Sequence, residues 1–390
     1  MSEENTPKPT GPEQPKPEKP ESTPAPDPKA EKPVAEKPAT GDKPTPPAKP
    51  AAKPVAKKPQ PKKDPRDKLF RPERMLVLSS SPHFHTADSV PTIMWNVVGA
   101  LAPAAIMAVI YFGWFAVGMI SVCVAAALLT EFVANRMRGE ANTLGDGSAA
   151  ITGLLLALTL PPSLPLWAGA LGSIFAIAIG KHLFGGLGYN IFNPALLGRA
   201  FLQASFPVAM TTWTWPGTSR FADVDGITAA TPLGLFKFER VGTELVHLLT
   251  GNIGGSLGET SALAVLAGGL YLLIRKYAEW RIPVSFLGSV FLFGGLFWLI
   301  DPARYPDPVF QLFAGGLMLG AFFMATDMVT SPVTRKGAWI FGIGAGFLLV
   351  IIRLYGGLPE GVMYAILLMN AFTPLINRYT RPKIFGEVRA

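Results

Sequence analysis

Long runs of apolar residues, nearly free of charge, restrict the fold of this chain more than any other feature. They follow one another from about Thr92 to the C-terminal region, in a sequence that is 49% apolar and only 16% charged. A water-soluble core of this size cannot hide so many such runs, whereas a lipid bilayer solvates them. The sequence therefore predicts an all-α integral membrane protein, because helices satisfy their own backbone hydrogen bonds in lipid.

Ten of these runs are predicted to be transmembrane helices, five on each side of a long polar stretch at residues 207–258. Several are shorter than the roughly 20 residues that cross a bilayer unaided. The predicted spans are residues 92–112, 114–134, 147–160, 165–181, 191–206, 259–275, 283–300, 308–325, 338–353 and 360–377. We therefore assign residues 75–390 to a membrane domain.

Basic residues are distributed unevenly among the gaps between these spans. If the N-terminus is cytoplasmic, the short external gaps contain little beyond Arg304 and, at a helix end, Arg353. The cytoplasmic gaps and the C-terminus contain Arg136, Arg138, Lys181, Arg275, Lys276, Arg281, Arg335, Lys336, Arg378, Arg381, Lys383 and Arg389. Because basic residues are retained on the cytoplasmic side, this pattern predicts two cytoplasmic termini and an external stretch at residues 207–258.

The two groups of five spans show traces of an internal repeat. Residues 190–194, near the start of the fifth span, read like residues 370–374 in the tenth, and the third and eighth spans both run into proline. Homologous halves with five spans each must cross the membrane in opposite directions. Short or interrupted helices at matching positions are typical of such proteins. We predict a five-plus-five inverted repeat; the alternative is a chance recurrence of Asn-Pro pairs.

Residues 1–74 have a different composition from the rest of the chain. Half of the 38 prolines occur within the first 65 residues, interleaved with Lys, Glu, Ala and Thr. This composition predicts a disordered cytoplasmic tail, either a solvated spacer or a docking arm for a partner or for anionic lipid. Most of the excess positive charge lies in this tail and in the gaps between spans, which indicates membrane topology and not a nucleic-acid surface.

The sequence lacks the residues for several kinds of redox chemistry. Cys123 is the only cysteine, so the chain builds neither a disulfide nor a four-cysteine iron–sulfur site. The four histidines are scattered and predict no metal site, and His182 is predicted to lie at the membrane interface. A Gly-x-Gly-x-x-Gly nicotinamide fingerprint is also missing. We therefore predict no catalytic residue and a protein that does not act as an enzyme alone.

The polar stretch contains one segment of distinctive composition, residues 223–233, with the sequence Asp-Val-Asp-Gly-Ile-Thr-Ala-Ala-Thr-Pro-Leu. Small residues before Thr231 allow another molecule to approach the backbone closely, and Pro232 stiffens the chain after it. From the residues alone, this segment is a turn that presents an exposed threonine hydroxyl.

This segment resembles the flavin-attachment motif of the D subunit of the Rnf ion-translocating electron transport complex, which the B subunit of the sodium-translocating NADH:quinone oxidoreductase shares. The resemblance implies that Thr231 is esterified to the phosphate of FMN. It implies that Asp225 or Asp223 is the acidic determinant, and that Thr228, Ala229 and Ala230 complete the motif. The stricter motif has Gly in place of Ala229.

Further blocks carry the same resemblance in the same order over residues 75–386. They are residues 146–158 followed by Pro161-Pro162, residues 181–195, residues 322–327 with Thr330-Ser331-Pro332, and Arg353 with Tyr355-Gly356-Gly357. The resemblance implies a bacterial inner-membrane protein whose covalent FMN relays electrons in a complex that couples ferredoxin and NAD redox chemistry to Na⁺ or H⁺ export. The implied partners are the A, B, C, E and G subunits, above all the FMN-bearing G subunit, together with membrane lipid.

Two alternatives remain at this point. One is the B subunit of the quinone reductase, and the other is a flavin-free transporter built on the same plan. A second, non-covalent flavin such as riboflavin is also left open.

Three carboxylates near the ends of apolar spans are candidates for an ion path. They are Asp327 after the eighth span, Glu131 at the end of the second and Asp146 at the start of the third. Ionisable groups are costly to bury in a membrane, so those that occur there are functional candidates. Each is alternatively an interfacial cap or a salt-bridge partner.

Overall fold

The computed structural model describes residues 88–140, 142–216 and 228–382. The predicted tail at residues 1–74 lies outside the described residues, as do Asp223 and Asp225. The described part is mostly helical, and helical structure occupies each of the ten predicted spans.

The first half contains the helices α1 (Val90–Phe112), α2 (Trp114–Arg138), α3 (Ser148–Thr159), α4 (Leu166–Ile177) and α5 (Pro194–Ser205). The polar stretch contains α6 (Pro207–Thr211), α7 (Pro232–Gly234) and α8 (Leu245–Thr250). The second half contains α9 (Ala262–Ile274), α10 (Arg281–Ile300), α11 (Pro308–Phe313), α12 (Leu317–Leu319), α13 (Arg335–Tyr355) and α14 (Val362–Tyr379). By length and composition, α1, α2, α10 and α13 can each cross a membrane.

Three helices continue into wider π-helical turns, which are frequent at functional sites. The turns are Ala178–His182 after α4, Leu235–Glu239 after α7 and Gly320–Met324 after α12. The predicted eighth span is not one continuous helix, because the chain breaks between α11 and α12. Gly315 has a positive φ of 72° in this break, and a Cβ there would lie 2.8 Å from the side chain of Leu233. The break therefore provides the space that the polar stretch fills.

Close helix packing holds each half together. A Cβ at Gly342 or Gly346 of α13 would lie 1.8 Å from the hydroxyl of Ser285 or Ser289 on α10, respectively. In the first half, a Cβ at Gly153 of α3 would lie 2.8 Å from the backbone of α2. Small residues at such crossings let helix backbones approach, which is how helices associate in lipid.

The stretch at residues 207–258 folds back onto the helices. Trp213–Thr214 (β1) pairs antiparallel with Thr228–Ala229 (β2), a short exception to the all-helical prediction. Residues 253–260 are irregular but buried. Within them, the N–H groups of Leu257 and Gly258 donate to carbonyls at the end of α3, at 3.1 and 2.6 Å. These bonds satisfy helix-end carbonyls that otherwise lack partners.

Some polar residues that the sequence assigned to the membrane surface are buried. Lys181 and Arg353, both counted in the charge asymmetry, are only 3% and 5% exposed. His182, predicted to be interfacial, is also buried. Lys181 and Arg353 are buried because each binds polar groups inside the helix bundle, Lys181 the carboxylate of Glu131 and Arg353 two backbone carbonyls. The asymmetry persists without them, because Arg304 is then the principal basic residue of the short external gaps.

Candidate functional site

A cavity of about 580 Å³ lies between the folded polar stretch and the helices. Its wall comes from both halves of the chain, chiefly α5, the break before α12, and the loop that joins α13 to α14. Apolar side chains form much of this wall, among them Leu196, Met210, Trp213, Leu319, Met324 and Met363. Its charged lining residues are Arg199, Glu239, Glu259, Arg353 and Glu360.

Thr231 lies in the wall of this cavity and is only 4% exposed. The expectation of an exposed threonine is therefore wrong. Thr231 is the N-cap of α7, and its Oγ1 accepts a hydrogen bond of 3.1 Å from the N–H of Gly234. Pro232 begins the helix, a position that suits proline because it needs no N–H donor there. The motif therefore fixes the backbone conformation at Thr231 and places its Oγ1 at the N-terminus of α7.

Leu233 explains why this turn is held against the bundle. It belongs to an apolar cluster with Leu248, Ile253, Phe310 and Ala314, and it occupies the space left by Gly315. Burying a leucine side chain contributes roughly 1.5–3 kcal/mol. The residue after the proline therefore anchors the threonine, a role that the sequence did not indicate.

The structure describes only some of the other motif residues. Ala230 lines the cavity beside Thr231. Thr228 and Ala229 form β2, which pairs with β1 and fixes the chain two residues before Thr231. Asp225 and Asp223 lie outside the described residues, so their acidic role stays a prediction.

The cavity wall contains an ionic cluster that the sequence analysis did not single out. Arg199 of α5 donates to Glu360 Oε2 at 2.6 Å, and a second guanidinium nitrogen lies 3.9 Å from Glu259 Oε1. Burial, followed by the nearby charge of Glu259, raises the pKa of Glu360, in the loop before α14, to about 7. The available signal was an arginine within the predicted fifth span, which is costly in lipid unless paired.

Two basic residues tie the cavity wall together. Arg353 donates to the carbonyls of Gln311 and Ala314 at 2.5 and 2.8 Å, which stabilises the break between α11 and α12. Lys237, after α7, donates to the carbonyls of Arg353, Gly356 and Leu358. Burial lowers the pKa of Lys237. This lysine thus joins the segment that carries Thr231 to the end of α13.

A second cavity, of about 80 Å³, lies at the opposite end of α3. Asp327 lines it, together with Ser148, Lys181, Asn190 and Asn193. Asp327 is half-buried, and its carboxylate accepts bonds from the Val329 N–H at 3.4 Å and the Thr330 hydroxyl at 3.1 Å.

The other two ion-path candidates reach this cavity through one network. Lys181 Nζ contacts both oxygens of Glu131, at 2.8 and 2.6 Å, and the hydroxyl of Ser148 at 2.6 Å. Ser148 donates in turn to Asp146 at 2.6 Å. Glu131 also accepts from Thr143 at 2.6 Å. The structure therefore brings the three predicted carboxylates to one region, with Lys181 and Ser148 as connecting residues that the sequence did not identify.

Only a thin wall separates the two cavities. Ala195 and Leu196 are consecutive on α5, yet the first lines the smaller cavity and the second the larger. On α3, Leu155 lines the smaller cavity and Thr159 lines the larger one. These two residues are four positions apart, which is about 6 Å along the helix axis. Asn193 braces this wall, since its side chain donates to the Met324 carbonyl at 3.2 Å.

These features define a class: a helical integral membrane protein in which a threonine from the stretch between two groups of helices enters a charge-lined cavity. The chain belongs to the NQR2, RnfD, RnfE family, which matches residues 77–386.

Curated relatives agree with this assignment. The chain is 48% identical over 327 residues to the D subunit of the proton-translocating ferredoxin:NAD(+) oxidoreductase complex of Clostridium ljungdahlii, covering 81% of this chain and 98% of that protein. It is 46% identical to the D subunit of the Na(+)-translocating ferredoxin:NAD(+) oxidoreductase complex of Acetobacterium woodii, covering 81% and 97%. It is 40% identical to the D subunit of the ion-translocating oxidoreductase complex of Escherichia coli (strain SE11), covering 80% and 98%. The resemblance to the D subunit of the Rnf complex is thereby confirmed.

Proposed function

We propose that this chain is a membrane electron carrier with FMN bound covalently to Thr231, in a complex that couples electron transfer between ferredoxin and NAD to ion translocation. The observation that carries the proposal is the position of Thr231, whose motif turns it into the wall of a 580 Å³ cavity. Three relatives named as D subunits of oxidoreductase complexes favour this function over the quinone-reductase alternative and over a flavin-free transporter.

The residues around the cavity fit such a group. A volume of 580 Å³ is within the range of roughly 300–1,000 Å³ that is typical of cofactor sites. Apolar side chains such as Leu196 and Met363 suit the faces of a flavin ring. Gly234 donates to Thr231 Oγ1, so this bond persists when the hydroxyl proton is replaced by a phosphoryl group. A bound flavin supplies one- or two-electron transfer.

Electrons must reach and leave this chain through other proteins, because it has no ligands for an iron–sulfur cluster and no nicotinamide fingerprint. We infer that the partners are the A, B, C, E and G subunits of an Rnf-type complex, with the FMN-bearing G subunit as the direct neighbour. The surrounding lipid is that of the bacterial inner membrane.

We infer a ten-span inverted repeat with both termini cytoplasmic; helix packing supports the repeat, and the basic residues of the short gaps support the orientation. In the first half α2 packs against α4. In a five-plus-five plan the corresponding helices of the second half are α10 and α13, and these also pack against each other.

The second cavity supports an ion path that includes Asp327, Glu131 and Asp146. The similarity to one proton-translocating and one Na⁺-translocating relative is nearly equal, so overall identity does not select the ion. At 80 Å³ this cavity is below the range of cofactor sites, so a non-covalent riboflavin there requires its walls to move apart.

The covalent flavin is tested by two substitutions of one residue. Thr231→Val removes the hydroxyl but keeps the shape, and we expect the denatured protein to lose its flavin fluorescence and its added FMN mass. Thr231→Ser keeps the hydroxyl and serves as the matched control that retains both. If Thr231→Val remains fluorescent at full intensity, the attachment site is elsewhere.

A further inference from the structure

The ionic cluster in the larger cavity has an uneven arrangement. Glu259 is almost fully buried, lies 3.9 Å from Arg199, and accepts a 3.4 Å bond from the backbone N–H of Ser256. Glu360 uses only one oxygen, Oε2, for its 2.6 Å contact with Arg199. Its other oxygen, Oε1, is buried and has no hydrogen-bond partner among the described residues. A buried carboxylate oxygen of this kind is costly unless it binds a proton or a donor.

The groups that face Glu360 come from every element around it. Arg199 lies on α5, Glu259 precedes α9 and Arg353 is at the end of α13. Glu239, which is exposed, and Tyr364 of α14 line the same cavity. With Glu259 and Glu360 both ionised, the two arginines balance the two carboxylates, of which Glu259 is buried and Glu360 half-buried. Negative charge that enters this cavity upsets the balance, and protonation of one carboxylate restores it.

We propose that Glu360 takes up one proton when an electron enters the cavity and releases it when the electron leaves, while Arg199 holds its carboxylate in position. This role rests on the proposed covalent flavin at Thr231. The electron comes from a one-electron carrier of a partner protein in the complex. The proton comes from water at the cavity mouth and forms an O–H bond at Oε1, so one negative and one positive charge enter together. Both leave in the reverse step.

Glu360 suits this role better than Glu259 because its Oε1 is buried without a partner, whereas Glu259 Oε1 faces the guanidinium of Arg199 at 3.9 Å. Its pKa of about 7 places the two forms close in energy near neutral pH. An added negative charge in the cavity raises that pKa further. Below about pH 7 the group is already protonated and takes up nothing, so its proton uptake appears above that pH.

The midpoint potential of the covalent flavin in the purified complex, measured against pH by spectroelectrochemistry, tests this role. One proton taken up per electron lowers the midpoint by about 59 mV per pH unit. In the native protein we expect the slope to increase above pH 7, and Glu360→Gln should lose this increase. Glu244→Gln, at an exposed carboxylate outside the lining of this cavity, is the control and should keep the native slope.

The outcomes separate this role from the flavin assignment. A native complex without covalent flavin overturns the proposed function itself. If the midpoint potential of the flavin has the same pH slope in the native protein and in Glu360→Gln, the proposed function stands and the role of Glu360 is wrong. If Glu360→Gln does not assemble, Glu360→Asp replaces it. That variant should keep the increase in slope but move the pH at which it begins, and an unmoved pH also overturns the role.

Discussion

The buried pair of Lys181 and Glu131 allows a sharp prediction about stability. Its two contacts, at 2.8 and 2.6 Å, join α2 to the π-helical turn after α4, and both side chains are almost inaccessible to solvent. Lys181→Met preserves much of the side-chain volume and removes the charge. The carboxylate of Glu131 then stays buried without its cation, and Ser148 loses a donor as well.

The expected cost follows from the burial of the pair. Removing one partner of a buried ion pair costs about 3–5 kcal/mol, because an uncompensated charge remains. Replacing both partners by apolar or neutral groups is frequently neutral. We therefore expect Lys181→Met to lower the free energy of unfolding by at least about 3 kcal/mol, and the double variant Lys181→Met with Glu131→Gln to recover more than half of that loss.

The assay is reversible unfolding of the purified protein by SDS titration in mixed micelles, followed by tryptophan fluorescence. Lys336→Met is the matched control, since Lys336 is exposed at the start of α13, and its free energy of unfolding should change by less than about 0.5 kcal/mol. If Lys181→Met costs no more than this control, or if the double variant is no more stable than the single one, the reasoning about the pair is wrong.

Two further predictions concern topology and ion coupling. In a cysteine-free background, a cysteine at Val208, which is 78% exposed on α6, should react with an impermeant maleimide in intact cells, whereas one at Glu140 should react only after permeabilisation; the reverse pattern would show that the orientation is inverted. Asp327→Asn, which keeps the side-chain shape, should reduce ion-coupled turnover in proteoliposomes while flavin content and complex assembly stay normal. Unchanged ion-coupled turnover would leave Asp327 as a helix-end cap only.

The sequence predicted the elements whose signals are local. Apolar runs located helical structure at all ten predicted spans because side-chain hydrophobicity alone decides which residues lipid solvates. The motif around Thr231 could also be recognised in the sequence, because its residues are adjacent in the chain. Thr231 was wrongly predicted to be exposed. Leu233 packs into the space beside Gly315, which is distant in sequence, and this packing holds Thr231 in the cavity wall.

The charged clusters depend on contacts between residues that are far apart in the sequence. Arg199 and Glu360 are 161 residues apart, and Lys181 and Glu131 are 50 apart. Each partner alone reads as an isolated charge near a helix end or within a span. Only the packing of the helices shows that the charges are paired, and that Arg353 and Lys237 bind backbone carbonyls.

The thin wall between the cavities has an electrostatic consequence. Low-dielectric side chains fill it, and one turn of α3 spans it, so mobile ions have little room to screen one cavity from the other. For two unit charges about 10 Å apart at an effective dielectric constant of about 20, the interaction energy is about 1.7 kcal/mol. That energy corresponds to a roughly fifteenfold change in the affinity for a cation. If the proposed flavin holds an electron in the larger cavity, we expect that charge to attract a cation to the carboxylates of the smaller one without any movement of the helices.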